Sequence, residues 1–293
     1  MSGFTGVHTI MPTPFTADGS LDLPSLERLT GFLVDLGVDG VVVLGALGEA
    51  PKLSEEEQAQ VVTTTVAAAR GRIPVFAGSG AAGTDLAITR SRRAVELGAA
   101  GLLVAPPPVQ NDETIFEYYR RIGEAVDTTI ILHDYPAVTG VRLDARLVAR
   151  LYEEIPAVRV IKLEEPPTGP KIDALRRLGS DISIVGGLGG QYFLEELGRG
   201  ANGIMTGLSY PDLLVAIYRA YTAGDLEEAK RVFYSAAPLL RYEFQPGIGL
   251  AIRKEIYRRR GAIQSAHVRH PGAQFDEQLG RELDDVLAFC GLE

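Results

Sequence analysis

Cysteine and tryptophan are almost missing from this sequence, whose 293 residues include one cysteine and no tryptophan. The single thiol, Cys290, excludes disulfides within the chain and metal sites built on cysteine. This composition fits a reducing compartment, so we predict a cytoplasmic protein. His267 and His270 have no cysteine or acidic cluster beside them, and we therefore predict no metal site at this pair.

Long apolar runs and an excess of basic residues are also missing. No apolar stretch approaches the ~20 residues that span a bilayer, and the opening MSGFTGVHTI lacks the charged and apolar segments of a signal peptide. The net charge of −9 argues against nucleic acid, because duplex binding needs basic surface to replace counterions. The one concentrated basic run, RRR at 258–260, ends a helical pattern and is typical of a solvated face. We predict a soluble protein with neither a membrane nor a nucleic-acid partner.

What the chain does contain is a regular alternation of short apolar runs with longer amphipathic ones, from residue 7 to about 222. The apolar runs predict strands at 7–12, 40–45, 73–78, 101–106, 129–134, 158–164, 182–187 and 203–207. The amphipathic runs predict helices near 24–36, 54–70, 84–97, 113–126, 144–153, 170–178 and 191–199. Ser54 followed by Glu57 is a capping box, which marks the start of the second helix.

Strands that alternate with helices imply a parallel sheet buried on both faces. Eight units of ~30 residues suit a closed (β/α)₈ TIM barrel, and the count favours the barrel over an open doubly wound sheet. Beyond residue 222 the patterns predict helices at 225–241, 246–260 and 276–290. We therefore predict an α/β fold with a (β/α)₈ barrel over 1–222 and a C-terminal helical region over 223–293 that packs on it.

Lys162 lies near the end of the apolar run VRVIKLE. A lysine in a buried strand is unusual, because its charge normally requires water or a partner. Strand alternation predicts four side chains on one face: Val158, Val160, Lys162 and Glu164. Two interpretations stay open at this point. Lys162 forms a structural ion pair with Glu164 or Glu165, or burial lowers its pKa until the amine forms a Schiff base with a ketone.

Glu164 and His133 are the candidates for moving protons near Lys162. An ionised Glu164 would raise the pKa of Lys162 and oppose nucleophilic attack, whereas a protonated one would serve as a general acid or base. His133 ends the run TIILHD on the face that Tyr135 shares, and Asp134 faces the other way. A histidine at this place is either a proton shuttle or a structural residue.

The stretch GSGAAG at 78–83 matches the glycine pattern of dinucleotide-binding folds and lies between a predicted strand and a predicted helix. That fingerprint also needs an acidic residue at the end of the next strand, to hold the ribose. The next strand ends in VAPPP, without a carboxylate. We therefore interpret the glycines as turn residues and predict no nicotinamide cofactor.

Four segments, taken together and in order, resemble one family: MPTPF at 11–15, GALGE at 45–49, HDYPAVTG at 133–140 and IKLE at 161–164. They are similar to the dihydrodipicolinate synthase / N-acetylneuraminate lyase family of class I aldolases, and the resemblance covers essentially the whole chain. It implies a (β/α)₈ barrel with C-terminal helices, commonly a homotetramer. It also implies a lysine on the sixth strand that forms a Schiff base with pyruvate or another 2-keto acid, and that lysine corresponds to Lys162.

The chain departs from the family's pattern where the family has hydroxyl groups. The family's G-T-T-G-E loop is GALGE here, so Gly45, Ala46 and Leu47 offer only backbone N–H groups to a substrate carboxylate. His133 replaces the family's catalytic tyrosine, and the tyrosine after strand 4 falls within 106–108, which is Pro-Pro-Pro. An arginine of the synthases corresponds to Val138. These departures argue against dihydrodipicolinate synthesis.

The spacing of Lys162 and Glu164, with the segment RYEFQPGIGLAIRK at 241–254, looks more like the 2-keto-3-deoxy sugar acid dehydratase branch. The resemblance implies Lys162 as the nucleophile and Glu164 as the proton shuttle. We interpret His133 as either a second catalytic proton shuttle or a contact to a substrate hydroxyl. The residues that the resemblance implies for substrate binding are Gly45, Ala46, Leu47, Tyr135 and Gly187.

We therefore predict a cofactor-free Schiff-base lyase, an aldolase or dehydratase, that acts on pyruvate or a 2-keto-3-deoxy sugar acid and assembles as a dimer or tetramer. One alternative is 4-hydroxy-tetrahydrodipicolinate (dihydrodipicolinate) synthase, which condenses pyruvate with aspartate semialdehyde. An alternative of another class is a catalytically inactive protein that binds a keto acid. A dinucleotide oxidoreductase is the most distant interpretation.

Overall fold

Eight parallel strands close into a barrel in the computed structural model, which describes residues 3–292. The strands are β1 (Gly6–Ile10), β2 (Gly40–Val43), β3 (Val75–Gly78), β4 (Gly101–Val104), β5 (Thr129–Asp134), β6 (Val158–Leu163), β7 (Ser183–Gly186) and β8 (Gly203–Thr206). Each strand pairs with the next in sequence, and β8 pairs with β1. The predicted (β/α)₈ barrel is therefore confirmed, and the open sheet is excluded because it would leave two unpaired edges.

In the part of the chain that the structure describes, nine α-helices follow the strands around the barrel: α1 (Leu23–Asp35), α2 (Glu55–Ala69), α3 (Thr84–Glu96), α4 (Asp112–Ala125), α5 (Pro136–Thr139), α6 (Ala145–Glu154), α7 (Thr168–Arg177), α8 (Phe193–Gly198) and α9 (Pro211–Thr222). The Ser54–Glu57 capping box is present at the start of α2. The sequence patterns did not single out α9, although Pro211 at its first position is a favourable helix start. None of the helices within residues 3–292 is long and apolar enough to cross a membrane.

The barrel interior is a small apolar cluster to which every strand contributes one side chain. Its members are Ile10, Val42, Phe76, Leu103, Ile131, Val160, Val185 and Met205. A second and larger cluster fills the space between the outer faces of the strands and the helices. Strand alternation produces both layers, since successive residues point to opposite sides of the sheet.

A bulge in β6 corrects one detail of the predicted strand pattern. Ile130 pairs with Val158 and Ile131 pairs with Val160, so Arg159 is an extra residue on β6. Val158 consequently packs in the outer cluster and Val160 in the inner one, and the prediction that they share a face is wrong. Beyond the bulge, regular alternation resumes.

Three further helices follow the barrel: α10 (Leu226–Glu243), α11 (Gly249–Arg259) and α12 (Glu277–Cys290). Helix α10 packs against α9, and both α11 and α12 pack against α10. A buried charge network joins this segment to the loop after β2. Glu49, whose side chain is 1% exposed, accepts hydrogen bonds from Lys254 Nζ at 2.6 Å, Lys52 Nζ at 2.9 Å and Arg269 N at 3.0 Å.

We expect the Glu49→Gln variant to lose about 3–5 kcal/mol of the free energy of unfolding, because it removes one partner of a buried ion pair. Burial lowers the pKa of Lys254 to about 8, and the charge of Glu49 is what opposes that shift. Urea denaturation measures the loss. Glu55→Gln is the matched control: it breaks a 2.7 Å surface pair with Arg90 and is expected to cost under about 1 kcal/mol. Equal losses in the two variants would contradict this role for Glu49.

Candidate active site

The C-terminal ends of β5 and β6 bring the predicted catalytic residues together. His133 and Lys162 are direct neighbours in the register of the two strands, and Glu164 follows immediately after β6. All three side chains are nearly buried and line a cavity of about 550 Å³ at the mouth of the barrel. The cavity is also lined by the loop after β2, by residues near α5 and by the segment that links α10 to α11. This is the end of the barrel at which such enzymes carry their chemistry.

Lys162, Glu164 and His133 form one hydrogen-bonded triad. The Nζ atom of Lys162 donates to Glu164 Oε2 in a very short contact and lies 3.1 Å from His133 Nε2. The same histidine nitrogen lies 2.8 Å from Glu164 Oε2. Each polar head therefore touches the other two. This is the arrangement needed to pass a proton among an amine, a carboxylate and an imidazole.

The backbone after β7 fixes the position of Glu164. The Leu188 N–H donates to Glu164 Oε1 at 2.9 Å, which leaves Oε2 for Lys162 and His133. Gly187 lies against the same side chain, and a Cβ atom at this position would be 2.3 Å from Glu164 Cγ. Only glycine gives the carboxylate this room. Gly187 was predicted to bind substrate, but it is not among the residues that line the cavity, and its contact is with Glu164.

The electrostatics of the triad settle the charge of Glu164, which sequence reasoning left open. Burial raises its pKa, but the charge of Lys162 and the hydrogen bond from His133 outweigh burial and bring the pKa to about 2. Burial and the charge of Lys162 lower the pKa of His133, against the influence of Glu164. At neutral pH the site therefore holds an ionised Glu164 and a neutral imidazole. In this state Lys162 is ion-paired, and attack on a ketone first requires that it give up a proton.

The position of the imidazole proton follows from the contacts of His133 Nε2. A protonated Nε2 donates to Glu164, whereas an unprotonated Nε2 accepts from Lys162. One nitrogen cannot do both at once. The protonation of Nε2 therefore decides whether His133 hydrogen-bonds to Glu164 or to Lys162.

The loop after β2 presents backbone N–H groups to the cavity. Gly45, Ala46 and Leu47 all line it. Two hydrogen bonds hold the conformation of this loop: Gly48 N donates to Gly45 O at 3.0 Å, and the Thr13 hydroxyl donates to Gly48 O at 2.6 Å. The amides of Ala46 and Leu47 form no hydrogen bond to any of residues 3–292. They are free donors of the kind that bind a carboxylate.

The neighbouring charged residues face away from the triad. Lys171 Nζ lies 2.6 Å from both Asp134 Oδ2 and Glu165 Oε2 on the outer side of the barrel. Glu165 is therefore not the partner of Lys162, and that half of the ion-pair interpretation is wrong because alternation turns the side chain outward. Tyr135 lines the cavity with its ring centroid 5.9 Å from Lys162 Nζ. Val138 lies at the cavity edge and is 63% exposed.

Sequence reasoning missed the contribution of the C-terminal helices to this cavity. Gln245 and Arg253 line it from the segment that joins α10 to α11 and from α11, and Thr206 lines it from the end of β8. Arg253 is only 5% exposed. The available signal was RYEFQPGIGLAIRK itself, in which Arg253 lies between apolar residues and two further buried charged residues, Lys254 and Glu255.

Known proteins resemble this chain over its whole length. The family model described as "Dihydrodipicolinate synthetase family" matches residues 3–289. The L-2-keto-3-deoxyarabonate dehydratase of Azospirillum brasilense is 32% identical over 95% of this chain and 92% of its own. The 4-hydroxy-tetrahydrodipicolinate synthase of Methanosphaerula palustris is 32% identical over 97% of this chain and 99% of its own. The crystal structure of dihydrodipicolinate synthase from Rhodopseudomonas palustris superposes with a TM-score of 0.93 at 36% identity, covering 98% of this chain and 97% of that one.

The family resemblance predicted from the four sequence motifs is thereby confirmed. The relatives include both a sugar acid dehydratase and synthases at the same level of identity. The fold, the lysine at the end of β6 and the match over residues 3–289 agree with one another. The chain belongs to the dihydrodipicolinate synthetase family and is a lyase of that class.

Proposed function

We propose that this chain is a Schiff-base dehydratase of a 2-keto-3-deoxy sugar acid, with Lys162 as the nucleophile. The observation that carries the proposal is the buried contact of Lys162 with a carboxylate two residues further along the same strand end. This spacing resembles the dehydratase branch, and the imidazole of His133 stands where the family has its catalytic tyrosine. The dehydratase of Azospirillum brasilense supports the same substrate class.

Imine formation begins with proton transfer from Lys162 to Glu164. The transfer converts a buried ion pair into two neutral groups, a change that a site closed to water favours. The neutral amine then attacks C2 of the keto acid, whose carboxylate is held by the amides of Ala46 and Leu47. Glu164 gives its proton to the C2 oxygen and then carries a second proton from the attacking nitrogen to the same oxygen, which leaves as water. A protonated imine then joins C2 to Nζ, and Glu164 is again a carboxylate.

Dehydration follows from the electron-withdrawing imine. Glu164, again a carboxylate, removes a proton from C3, which is two bonds from Nζ, and the electron pair forms an enamine. The enamine electrons then form a C3–C4 double bond and expel the C4 hydroxyl, which leaves as water with the proton that Glu164 took from C3, delivered directly or through His133. Hydrolysis of the conjugated imine consumes one water and frees Lys162, so the net change is loss of one water from the substrate.

A second candidate is 4-hydroxy-tetrahydrodipicolinate synthase. The synthase of Methanosphaerula palustris is as similar to this chain as the dehydratase is. Against it, Ala46 and Leu47 replace the hydroxyl residues of the family's loop, and Val138 stands at the position of the synthases' arginine. Condensation of pyruvate with aspartate semialdehyde, followed by absorbance of the product, discriminates the two candidates.

We expect borohydride to trap an adduct on the peptide that contains Lys162 when the protein is incubated with pyruvate or a 2-keto-3-deoxy sugar acid. The physical reason is that reduction makes the imine permanent, and peptide mass spectrometry then locates it. An adduct with turnover of the sugar acid supports the dehydratase. An adduct without turnover of any substrate would support the keto-acid-binding alternative, and a folded protein that forms no adduct would contradict the proposal.

The oligomeric state and the cellular location remain predictions. The family resemblance predicts a homo-oligomer, a dimer or a tetramer, and size-exclusion chromatography with light scattering would measure it. A cytoplasmic location is a prediction that the single cysteine supports, and cell fractionation would test it.

A further inference from the structure

Arg253 presents an unused set of hydrogen-bond donors to the active-site cavity. It lies on α11, its side chain is 6% exposed, and it lines the same cavity as Lys162. Its two terminal nitrogens form no hydrogen bond to any of residues 3–292. A buried guanidinium normally has acceptors for its five N–H groups. The free donors here therefore point to an acceptor that arrives with the substrate.

The neighbours of Arg253 hold its head in place without occupying those donors. Its Nε atom lies 3.2 Å from Glu243 Oε2 in an ion pair, although Nε forms no hydrogen bond to any of residues 3–292. Glu243 is itself completely buried and also accepts bonds from the backbone and hydroxyl of Ser209. Gly249 allows the close approach, since a Cβ atom there would lie 2.4 Å from Glu243 O and 3.0 Å from an Arg253 terminal nitrogen. The ion pair with Glu243 thus positions the guanidinium, and its two terminal nitrogens remain available to a ligand in the cavity.

Arg253 enters the cavity from a different part of the fold than the residues of the keto-acid end. Lys162 and the amides of Ala46 and Leu47 belong to the barrel, whereas Arg253 belongs to a helix beyond it. Tyr135 lies near both ends: burial raises its pKa, the charge of Glu164 raises it further, and that of Arg253 lowers it. A substrate joined to Lys162 through C2 would extend past Tyr135 toward α11.

We propose that Arg253 binds the far end of the substrate and that this end is a second carboxylate, so that the substrate is a 2-keto-3-deoxy diacid. The inference rests on the proposed function and deepens it. Two terminal nitrogens in one plane match the two oxygens of a carboxylate, and such charge-assisted pairs are stronger than bonds to a hydroxyl. A terminal hydroxyl would leave most of the buried donors unpaired.

The test measures binding without imine chemistry. Adipate and 6-hydroxyhexanoate have six carbons each, lack a ketone and differ only in the second end. By isothermal titration calorimetry we expect the wild type to bind adipate at least ~10-fold more tightly, a ratio that reflects one or two charge-assisted hydrogen bonds. The ratio should fall to about 1 in Arg253→Gln and to an intermediate value in Arg253→Lys, which keeps the charge but loses the fork.

Arg258→Gln is the matched control, because Arg258 lies on the same helix with its side chain 46% exposed and paired to Glu255. It should leave the ratio unchanged. A wild type without preference for adipate, or a preference that survives Arg253→Gln, would overturn the inference.

Borohydride trapping with pyruvate separates this inference from the proposed function. Pyruvate has no far end, so Arg253→Gln should be trapped as well as the wild type. Loss of trapping in this folded variant alone would place the guanidinium at the keto-acid end and overturn the inference. A wild type that is not trapped contradicts the proposed function, while the binding ratio still decides the role of Arg253.

Discussion

Replacing Lys162 with alanine is expected to lower turnover by about 10⁴-fold or more, because the reaction loses the atom that forms the covalent intermediate. The same variant should give no borohydride adduct with any keto acid. Turnover of the sugar acid and trapping with pyruvate measure the two effects. Alanine also leaves the buried carboxylate of Glu164 without its ion-pair partner, so the fold needs an independent check.

Lys162→Arg provides that check, since it keeps a positive charge beside Glu164 but supplies no nucleophilic amine. It should be as inactive as the alanine variant with more of its stability retained. Lys171→Ala is the matched control: it removes a lysine that is also nearly buried and paired with carboxylates, but on the outer side of the strands. The folded fraction of this variant should stay active. An active Lys162→Arg enzyme would end the Schiff-base mechanism.

Glu164→Gln should still form the imine but lose about 10²–10⁴-fold in turnover, the usual contribution of a general acid or base. The amide cannot take the proton from C3 or deliver one to a leaving oxygen. Imine formation then depends on His133 or water for its proton transfers, so it should be slower but still reach completion on long incubation. We expect borohydride still to trap pyruvate on Lys162 after that incubation, while dehydration of the sugar acid nearly stops.

The neighbouring residue offers a control with the same chemical change. Glu165→Gln alters a carboxylate one position further along, but that side chain faces outward and contacts Lys171. Its turnover should stay near that of the wild type. Normal turnover in Glu164→Gln would move the acid–base role to His133, which touches both Lys162 and Glu164.

The sequence by itself determined the barrel and the members of the triad. Eight apolar runs with a regular spacing allow few folds, because each strand must be buried on both faces and each crossover needs a helix. The alternation of side chains along a strand predicted that Lys162 and Glu164 share one face. His133 was predicted beside them because it also lies at the C-terminal end of a barrel strand. The bulge at Arg159 and helix α9 escaped this reasoning, and an extra residue in a strand has no signature in the residue types around it.

Only the tertiary structure decided the charge state of the triad and the contribution of the C-terminal helices to the cavity. The pKa of Glu164 depends on the opposing effects of burial and of two neighbours, and their balance is set by distances that a linear pattern does not contain. The role of Gly187 is also visible only in the tertiary structure, where the absence of a side chain leaves room for Glu164. Arg253 lies 91 residues beyond Lys162 in the chain, and only the packing of α11 over the barrel mouth brings both into one cavity. Contacts between distant segments arise from the packing of whole elements, which local periodicity cannot specify.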